Sequence, residues 1–186
     1  MPDIMITSDR LILRRFTHDD IPDILDVVTD PSVARETPEI PHDEEKLVGY
    51  VDGQNALAAF ETKKCFDLAI ERRSDGRVIG LVSLVNDGHR QAEIGWALGI
   101  DHRRQGYATE AASALVASAI ERHDFHRVSA STTFDNDPSW RVMERIGMRK
   151  EAHLRQAAPP AKAGGPWHDR VIYAILAEEW RTRSSD

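Results

Sequence analysis

Residues 94–121, "IGWALGIDHRRQGYATEAASALVASAIE", decide the fold. An apolar run ending near Leu98 reads as a strand, a loop carrying Arg103, Arg104 and Gly106 follows, and an alanine-rich run extends from about Gly106 to about Glu121. Within that run Ala112, Leu115, Val116, Ala119 and Ile120 recur at i, i+3, i+4, i+7 and i+8, the spacing of a helix with one face on a core. The first N–H groups of such a helix lack intrahelical partners and lie at the positive end of its dipole, so a strand, loop and helix in this order form an anion cradle. Gly106 lets a ligand oxygen approach the backbone, and Arg103 and Arg104 supply charge-assisted donors suited to a diphosphate. A solvated basic loop capping a helix would present the same residues. The stretch contains neither GxxxxGK[ST] nor GxGxxG, so it matches neither the nucleoside triphosphate loop nor the dinucleotide fingerprint.

Upstream, "CFDLAIERRSDGRVIGLVSLVNDGHRQAEIGWALG" reads as three consecutive strands, because Phe66, Leu68 and Ile70 alternate and "SDGR" and "NDGHR" are turn sequences between β-rich runs. Before it, "DRLILRRF" reads as a strand, and Thr17 or Asp19 caps a helix with Ile21, Ile24, Leu25 and Val28 at helical spacing. "DPSVARETPEIPHDEEK", with three prolines, is a broken connection to a helix carrying Leu47, Tyr50, Val51 and Leu57. Downstream, "RVSASTTF" is a further strand. "DNDPSWRVMERIGM" is a second helix with Asp137 as N-cap, Pro138 at its first position and Gly147 as its stop. The tail holds a strand near "MRKEAHL", a loop "RQAAPPAKAGGP" and a last strand "HDRVIYAIL" before "AEEWR".

The length of 186 residues suits one domain over residues 1–186, and no internal repeat divides it. Hydrophobic residues make up 41% and charged residues 30%, with no apolar run near the 18 or so residues of a membrane span. "MPDIMITSDRLILRRF" lacks the pattern of a secretory signal, so the expected location is the cytoplasm. One cysteine, Cys65, forms no internal disulfide and reads as a small apolar strand residue. His123 and His126 lie three apart without a completing ligand set, and no metal is expected. The net charge of −7 argues against nucleic acid as a partner and favours a cationic or neutral one.

With these residues in view, the chain resembles the GNAT superfamily of acyl-CoA-dependent N-acetyltransferases. The family's diphosphate loop, [Q/R]xxGx[G/A], is matched by Arg103, Gly106 and Ala108 in "RRQGYA", placed after "AEIGWALG" and followed by "TEA". "NDPSWRVMERIGM" looks like the family's second block, while "ITSDRLILRRFTHDD" and "GGPWHDRVIYAILAEEW" look like the branch of ribosomal-protein N-terminal (Rim-type) acetyltransferases. The resemblance covers nearly the whole chain and is least diagnostic over 31–62. It implies an α/β (α+β) fold: a mixed, mostly antiparallel twisted sheet of about seven strands flanked by helices. Two central parallel strands, the one ending at Leu98 and "RVSASTTF", would split to take the CoA arm.

By the same resemblance Trp96, Ala97 and Leu98 offer backbone to the pantetheine. The diphosphate falls on Arg103, Arg104, Gln105, Gly106, Tyr107, Ala108 and Thr109, and Asn136 hydrogen-bonds a pantetheine amide. Acyl transfer to an amine needs a base and a proton donor for the leaving thiolate. The resemblance offers Glu93, opposite in facing to Ile94, Trp96 and Leu98, as general base, and Ser139 as donor to the sulfur. Two departures stand out: Met143 occupies the position where many members place a tyrosine donor, and Ala157 and Ala158 fall where the ribosomal-protein branch carries a glutamate. His153, His168 and Asp169 lie near the expected acceptor mouth without an assigned role, and Trp140 is expected to pack. The function implied is acetyl transfer from acetyl-CoA, as co-substrate, to a primary amine by direct attack in a ternary complex. The acceptor is a peptide or protein N-terminus, or a small amine such as an aminoglycoside or polyamine. The alternative is a non-catalytic acyl-CoA-binding module. Neither nucleic acid nor membrane is an expected partner, and the sequence leaves open a homodimer and acyl groups other than acetyl.

Overall fold

The computed structural model describes residues 5–35, 37, 39–160 and 164–183. Its strands are β1 (Met5–Thr7), β2 (Leu11–Arg14), β3 (Cys65–Arg72), β4 (Val78–Gly88), β5 (Gln91–Leu98), β6 (Arg127–Thr133), β7 (Arg149–Ala158) and β8 (His168–Leu176). They form one sheet in the order β1-β2-β3-β4-β5-β6-β8-β7, antiparallel throughout except for the parallel pair β5 and β6. The expected sheet of about seven strands gains one: β1 is too short to show a period of two in sequence, and it is held by pairing Met5–Thr7 with Ile12–Arg14.

The helices are α1 (Ile21–Val28), α2 (Pro31–Ala34), α3 (Glu44–Ala56), α4 (Tyr107–Arg122), α5 (Asp137–Arg145) and α6 (Ala177–Arg183). One face of the sheet carries Leu68, Ile70, Val82, Ile94 and Val128 against Leu115, Val116, Val142, Met143 and Trp180 of α4, α5 and α6. The other carries Ala69, Leu81 and Ala97 against Ile24, Val28, Leu47 and Val51 of α1 and α3. Both faces of the central strands are covered, which is why β3 buries consecutive residues from Phe66 to Ile70 instead of alternating. The stripe read in α4 is buried at all five positions.

Three boundaries move from the sequence expectation. Thr17 caps a short 3-10 turn that contains Asp19, and α1 is entered through Asp20, whose carboxylate accepts from the Thr17 N–H at 2.7 Å. The N-cap of α5 is Asn136, not Asp137; Asp137 lies in the first turn and pairs with Arg141 one turn on. Strand β7 runs on through "RQAA" to Ala158, carried by its pairing to β8 across an irregularity between Leu154 and Ala158. The loop after it is shorter than the sequence suggests, and Ala161, Lys162 and Ala163 lie outside the described residues.

Strand β4 holds β5 along its full length, and at Gly80 the two leave no room for a side chain. A Cβ there would stand 2.2 Å from the Ala97 carbonyl oxygen and 2.8 Å from Leu98 Cδ2. The first of these is backbone and cannot rotate away. Gly80→Ala is therefore expected to lower the unfolding free energy by about 1–3 kcal/mol, the usual cost of overpacking, read from urea denaturation midpoints at unchanged slope.

Candidate functional site

Strands β5 and β6 pair only over Gln91 with Arg127, Ala92 with Val128 and Glu93 with Ser129. Beyond that rung they part. β5 stays registered to β4 as far as Leu98, and β6 stays registered to β8 as far as Thr133 with Arg170. From Ile94 to Leu98 one edge of β5 therefore carries backbone donors and acceptors with no strand beside it among the described residues. Trp96 packs its half-buried side chain on the α4 side, Ala97 and Leu98 are buried, and all three lie on the stretch of β5 beyond its pairing with β6.

The loop after Leu98 enters α4 through Gly106, whose φ of +83° is the left-handed conformation that suits glycine. The first intrahelical bond of α4 runs from Glu110 N–H to the Gly106 carbonyl, so the N–H groups of the preceding turn are free of helical partners. Arg104 is exposed at φ +61°, and Gln105 folds back, donating from Nε2 to the Asp101 carbonyl at 2.8 Å. Arg103 also turns back: its Nε donates to the Leu98 carbonyl at 3.1 Å, tying the loop to the end of β5. Tyr107 is buried, so only its backbone can face a ligand there, whereas Ala108 and Thr109 are half-buried in the first turn.

Arg10, between β1 and β2, is the member of this site that sequence reasoning missed. It donates from Nη1 to the Gln105 carbonyl at 3.0 Å, stacks 4.5 Å above the Tyr107 ring and pairs through Nε with Glu110 at 2.7 Å. A Cβ on Gly106 would meet its Nη2 at 3.3 Å. Burial opposes ionisation of Glu110, but donation from the Arg10 N–H, the Ser8 hydroxyl and the Arg10 guanidinium holds its carboxyl below the usual range. Glu110 thus stays anionic in the first turn with its charge offset by Arg10. No local motif marks Arg10, because the contact spans about a hundred residues of chain.

On the face of the split toward α1 and α3, Glu93 is exposed, and its Oε1 accepts from the Ser131 hydroxyl at 2.7 Å. Ser131 in turn accepts from Arg170 Nη1 at 3.3 Å. On the opposite wall, Asn136 uses its carbonyl to accept the N–H groups of Ser139 at 3.1 Å and Trp140 at 3.4 Å, while its side chain makes no cap bond. Ser139 is half-buried in the first turn of α5. Met143, one turn further, is buried in the core, and Trp140 packs against that core while donating from Nε1 to the Phe134 carbonyl. His153 binds Asp169 at 2.7 Å and stacks on Phe134, and His168 stands 3.6 Å from Asp135; none of these contacts is a link of the Glu93 hydrogen-bond chain.

Two strands from Glu93, on the same face, Asp67 is buried and accepts from Tyr50 at 2.5 Å, Gln54 at 3.2 Å and the Cys65 thiol at 3.3 Å. Burial pushes the Asp67 carboxyl up against the donors that hold it down. The Tyr50 hydroxyl is raised by its own burial and by the Asp67 charge. Cys65 counts as exposed along its whole length, but its sulfur is desolvated and lies beside Asp67, and the two effects push the thiol up to about 12.

The Acetyltransferase (GNAT) domain family matches residues 10–149. The chain is 33% identical over 179 residues to the uncharacterized N-acetyltransferase YnaD of Bacillus subtilis (strain 168), covering 94% of this chain and 98% of that one. The acetyltransferase (GNAT family) structure from Bacillus anthracis superposes with a TM-score of 0.81 at 29% identity, over 95% of this chain and 100% of that chain. The ribosomal L7/L12 α-N-protein acetyltransferase RimL, solved in complex with coenzyme A, shares the fold at a TM-score of 0.78 and 22% identity, over 93% of this chain and 98% of that chain.

The raised thiol of Cys65 has a direct readout. Its folded value lies well above that of a free cysteine, so alkylation by iodoacetamide in the native protein is expected to climb about tenfold per pH unit from pH 8 to 11 without reaching a plateau. The urea-unfolded chain should level off near pH 9. A native plateau below pH 10 would show that desolvation and Asp67 together do not raise this thiol.

Proposed function

The chain belongs to the GNAT family of N-acetyltransferases, and we propose that it moves an acetyl group from acetyl-CoA to the neutral nitrogen of a primary amine by direct attack within a ternary complex. The acceptor class is a peptide or protein N-terminus or a small amine. The observation that carries the reading is the parting of β5 from β6 after Glu93 and Ser129, with the Gly106 turn opening α4 beside it. The residues present fit acetyl-CoA: a free strand edge suits an amide-bearing arm, and a helix start with Arg103 and Arg104 suits a diphosphate. Once bound, acetyl-CoA supplies a thioester carbonyl open to attack and a thiolate leaving group.

In this reading the protein's own groups divide the work. Backbone of Trp96, Ala97 and Leu98 aligns the arm, with Asn136 across the split. The N–H groups of Gly106, Tyr107, Ala108 and Thr109 face the diphosphate, and Arg104 and the Nη groups of Arg103 add positive charge, while Gln105 and Arg10 shape the loop. Glu93, exposed at the point of parting, accepts the proton of the attacking amine directly or through water. Ser139 donates toward the departing sulfur.

The family membership weighs against the alternative of a module that binds acyl-CoA without turnover. The deciding experiment is free-thiol release from acetyl-CoA with a panel of Ser-, Met- and Ala-initiated peptides, spermidine and kanamycin, beside a control without acceptor. Thiol release that needs an acceptor is the expected result, and its absence across the panel counts against transfer to these amines.

Acetyl-CoA at about 100 times its Kd is expected to stabilise the fold by roughly 2.7 kcal/mol, seen as a rise in Tm. Gly106→Val, which forces a β-branched residue into a positive φ and crowds Arg10, should abolish most of that rise, and His102→Ala should leave it intact.

The size of the base's task depends on the amine. A peptide α-amine near pKa 8 costs about 1.4 kcal/mol to deprotonate at pH 7, against about 4.6 for a lysine-like amine near 10.4. Glu93→Gln is expected to depress kcat/KM most at low pH and to recover as rising pH delivers the acceptor already neutral. A pH series of kcat/KM for both proteins checks this, and parallel profiles would remove Glu93 from the role.

A further inference from the structure

We infer that Ser131 and Arg170 are positioning residues for Glu93, forming a hydrogen-bonded chain that bridges the split and fixes which carboxylate oxygen meets the acceptor; this rests on the reading of Glu93 as the base. In register, Glu93 stands opposite Ser129, Ser131 lies one row further opposite Ile172, and Arg170 one row beyond that opposite Thr133. Each hydrogen bond is therefore a diagonal step between neighbouring strands, within reach of side chains on one face. The first falls where backbone pairing of β5 with β6 has just ended. A side-chain bond from Ser131 to Glu93 replaces the missing rung.

The direction of the chain follows from donor inventory. A guanidinium has no acceptor, so Arg170 donates to Ser131; the single hydroxyl hydrogen of Ser131 then goes to Glu93 Oε1. A hydroxyl polarised by a cation is a stronger donor to a carboxylate than a free one. Oε1 is thereby occupied, and Oε2, without a hydrogen-bond partner among the described residues, is left for the incoming proton. Arg170 is held at a cost: its Nε is buried with no partner among the described residues, a defect that ordinary packing tends to avoid and that a positioned charge accounts for.

Glu93 has neighbours in register on both adjacent strands. On β4 it faces Val85 and beyond that Cys65 on β3, whose thiol feels both Asp67 and Glu39; on β6 it faces Ser129, whose hydroxyl is committed to the Ala92 carbonyl at 3.2 Å. Arg170 is a positive group linked to Glu93, and the link runs through Ser131. Because a mispositioned base costs most where the amine arrives protonated, loss of the chain should depress activity most at low pH.

The test is a pH series of kcat/KM with the panel amine that turns over fastest. Ser131→Ala is expected to lose about tenfold at pH 6, the scale of one hydrogen bond to a charged group, and to approach wild type at pH 9, with KM for acetyl-CoA within about twofold. Ser131→Thr should retain the wild-type profile, and Arg170→Gln should shift it in the same direction as Ser131→Ala. The Glu93→Gln, Ser131→Ala double variant should be no slower than Glu93→Gln alone. If Glu93→Gln loses activity at low pH while Ser131→Ala and Arg170→Gln keep wild-type profiles, the positioning role is overturned and the base survives. Losses that multiply in the double variant overturn it as well, and a Glu93→Gln profile parallel to wild type overturns the base and the positioning together.

Discussion

From Ile94 onward β5 has a strand on one side and, among the described residues, none on the other, and the remaining structure is arranged around that unpaired edge. A backbone N–H shut away from water without a partner costs about 1–3 kcal/mol, so such an edge persists only where it stays wet or meets another amide-bearing chain. Both walls are anchored away from the split: β4 grips β5 as far as Leu98, and β8 grips β6 as far as Thr133. Helix α4 leaves from the end of one wall and α5 from the end of the other, so the same divergence that exposes the edge aims two helix starts at it. An arm with peptide-like amides can pair with β5 as an added strand does.

The cradle beside the split is positive in a chain whose net charge is −7. Arg10 explains how. It crosses from the β1–β2 turn to offset Glu110 in the first turn of α4, to hold the Gln105 carbonyl and to cover the Tyr107 ring. Without it the carboxylate of Glu110 would oppose the helix dipole's attraction for an anion. Local placement, not the overall balance, sets the field a ligand meets, and at physiological salt screening over about 8 Å separates the cradle from the acidic remainder of the surface.

What was legible in sequence was what local periodicity and turn chemistry carry. The α4 stripe, the β3–β4–β5 meander and the Gly106 turn all announce themselves within a few residues, whereas the place of the split follows from the family resemblance. The parts that were not legible depend on partners distant in sequence. β1 exists through its pairing with β2, the extension of β7 through its pairing with β8, and Arg10 through Glu110 and Gln105. The chain from Arg170 to Ser131 to Glu93 joins three strands, and no spacing rule links residues so far apart. The cap of α5 moved by one residue because Asn136 and Asp137 are equally good caps by type.

The choice of Ser139 as the group facing the departing sulfur gains from what the other hydroxyls do. All three tyrosines are committed elsewhere: Tyr50 to Asp67, Tyr173 to Glu144 at 3.2 Å, and Tyr107 buried beneath Arg10 with its hydroxyl beside Arg72. The hydroxyls of Tyr50 and Tyr173 are also raised, by burial first and by the neighbouring carboxylates second, so they hold their protons more firmly than a free phenol. Met143 shares a helix face with Ser139, one turn on, and because side chains lean toward a helix's N-terminus a tyrosine at that position would reach back past Ser139 toward the split. The buried thioether fills that path instead. In the proposed reading Ser139 is then the hydroxyl at the mouth of α5, where the free N–H groups of the helix start favour a sulfur that is becoming negative, so part of the thiolate's stabilisation comes from the helix rather than from a proton.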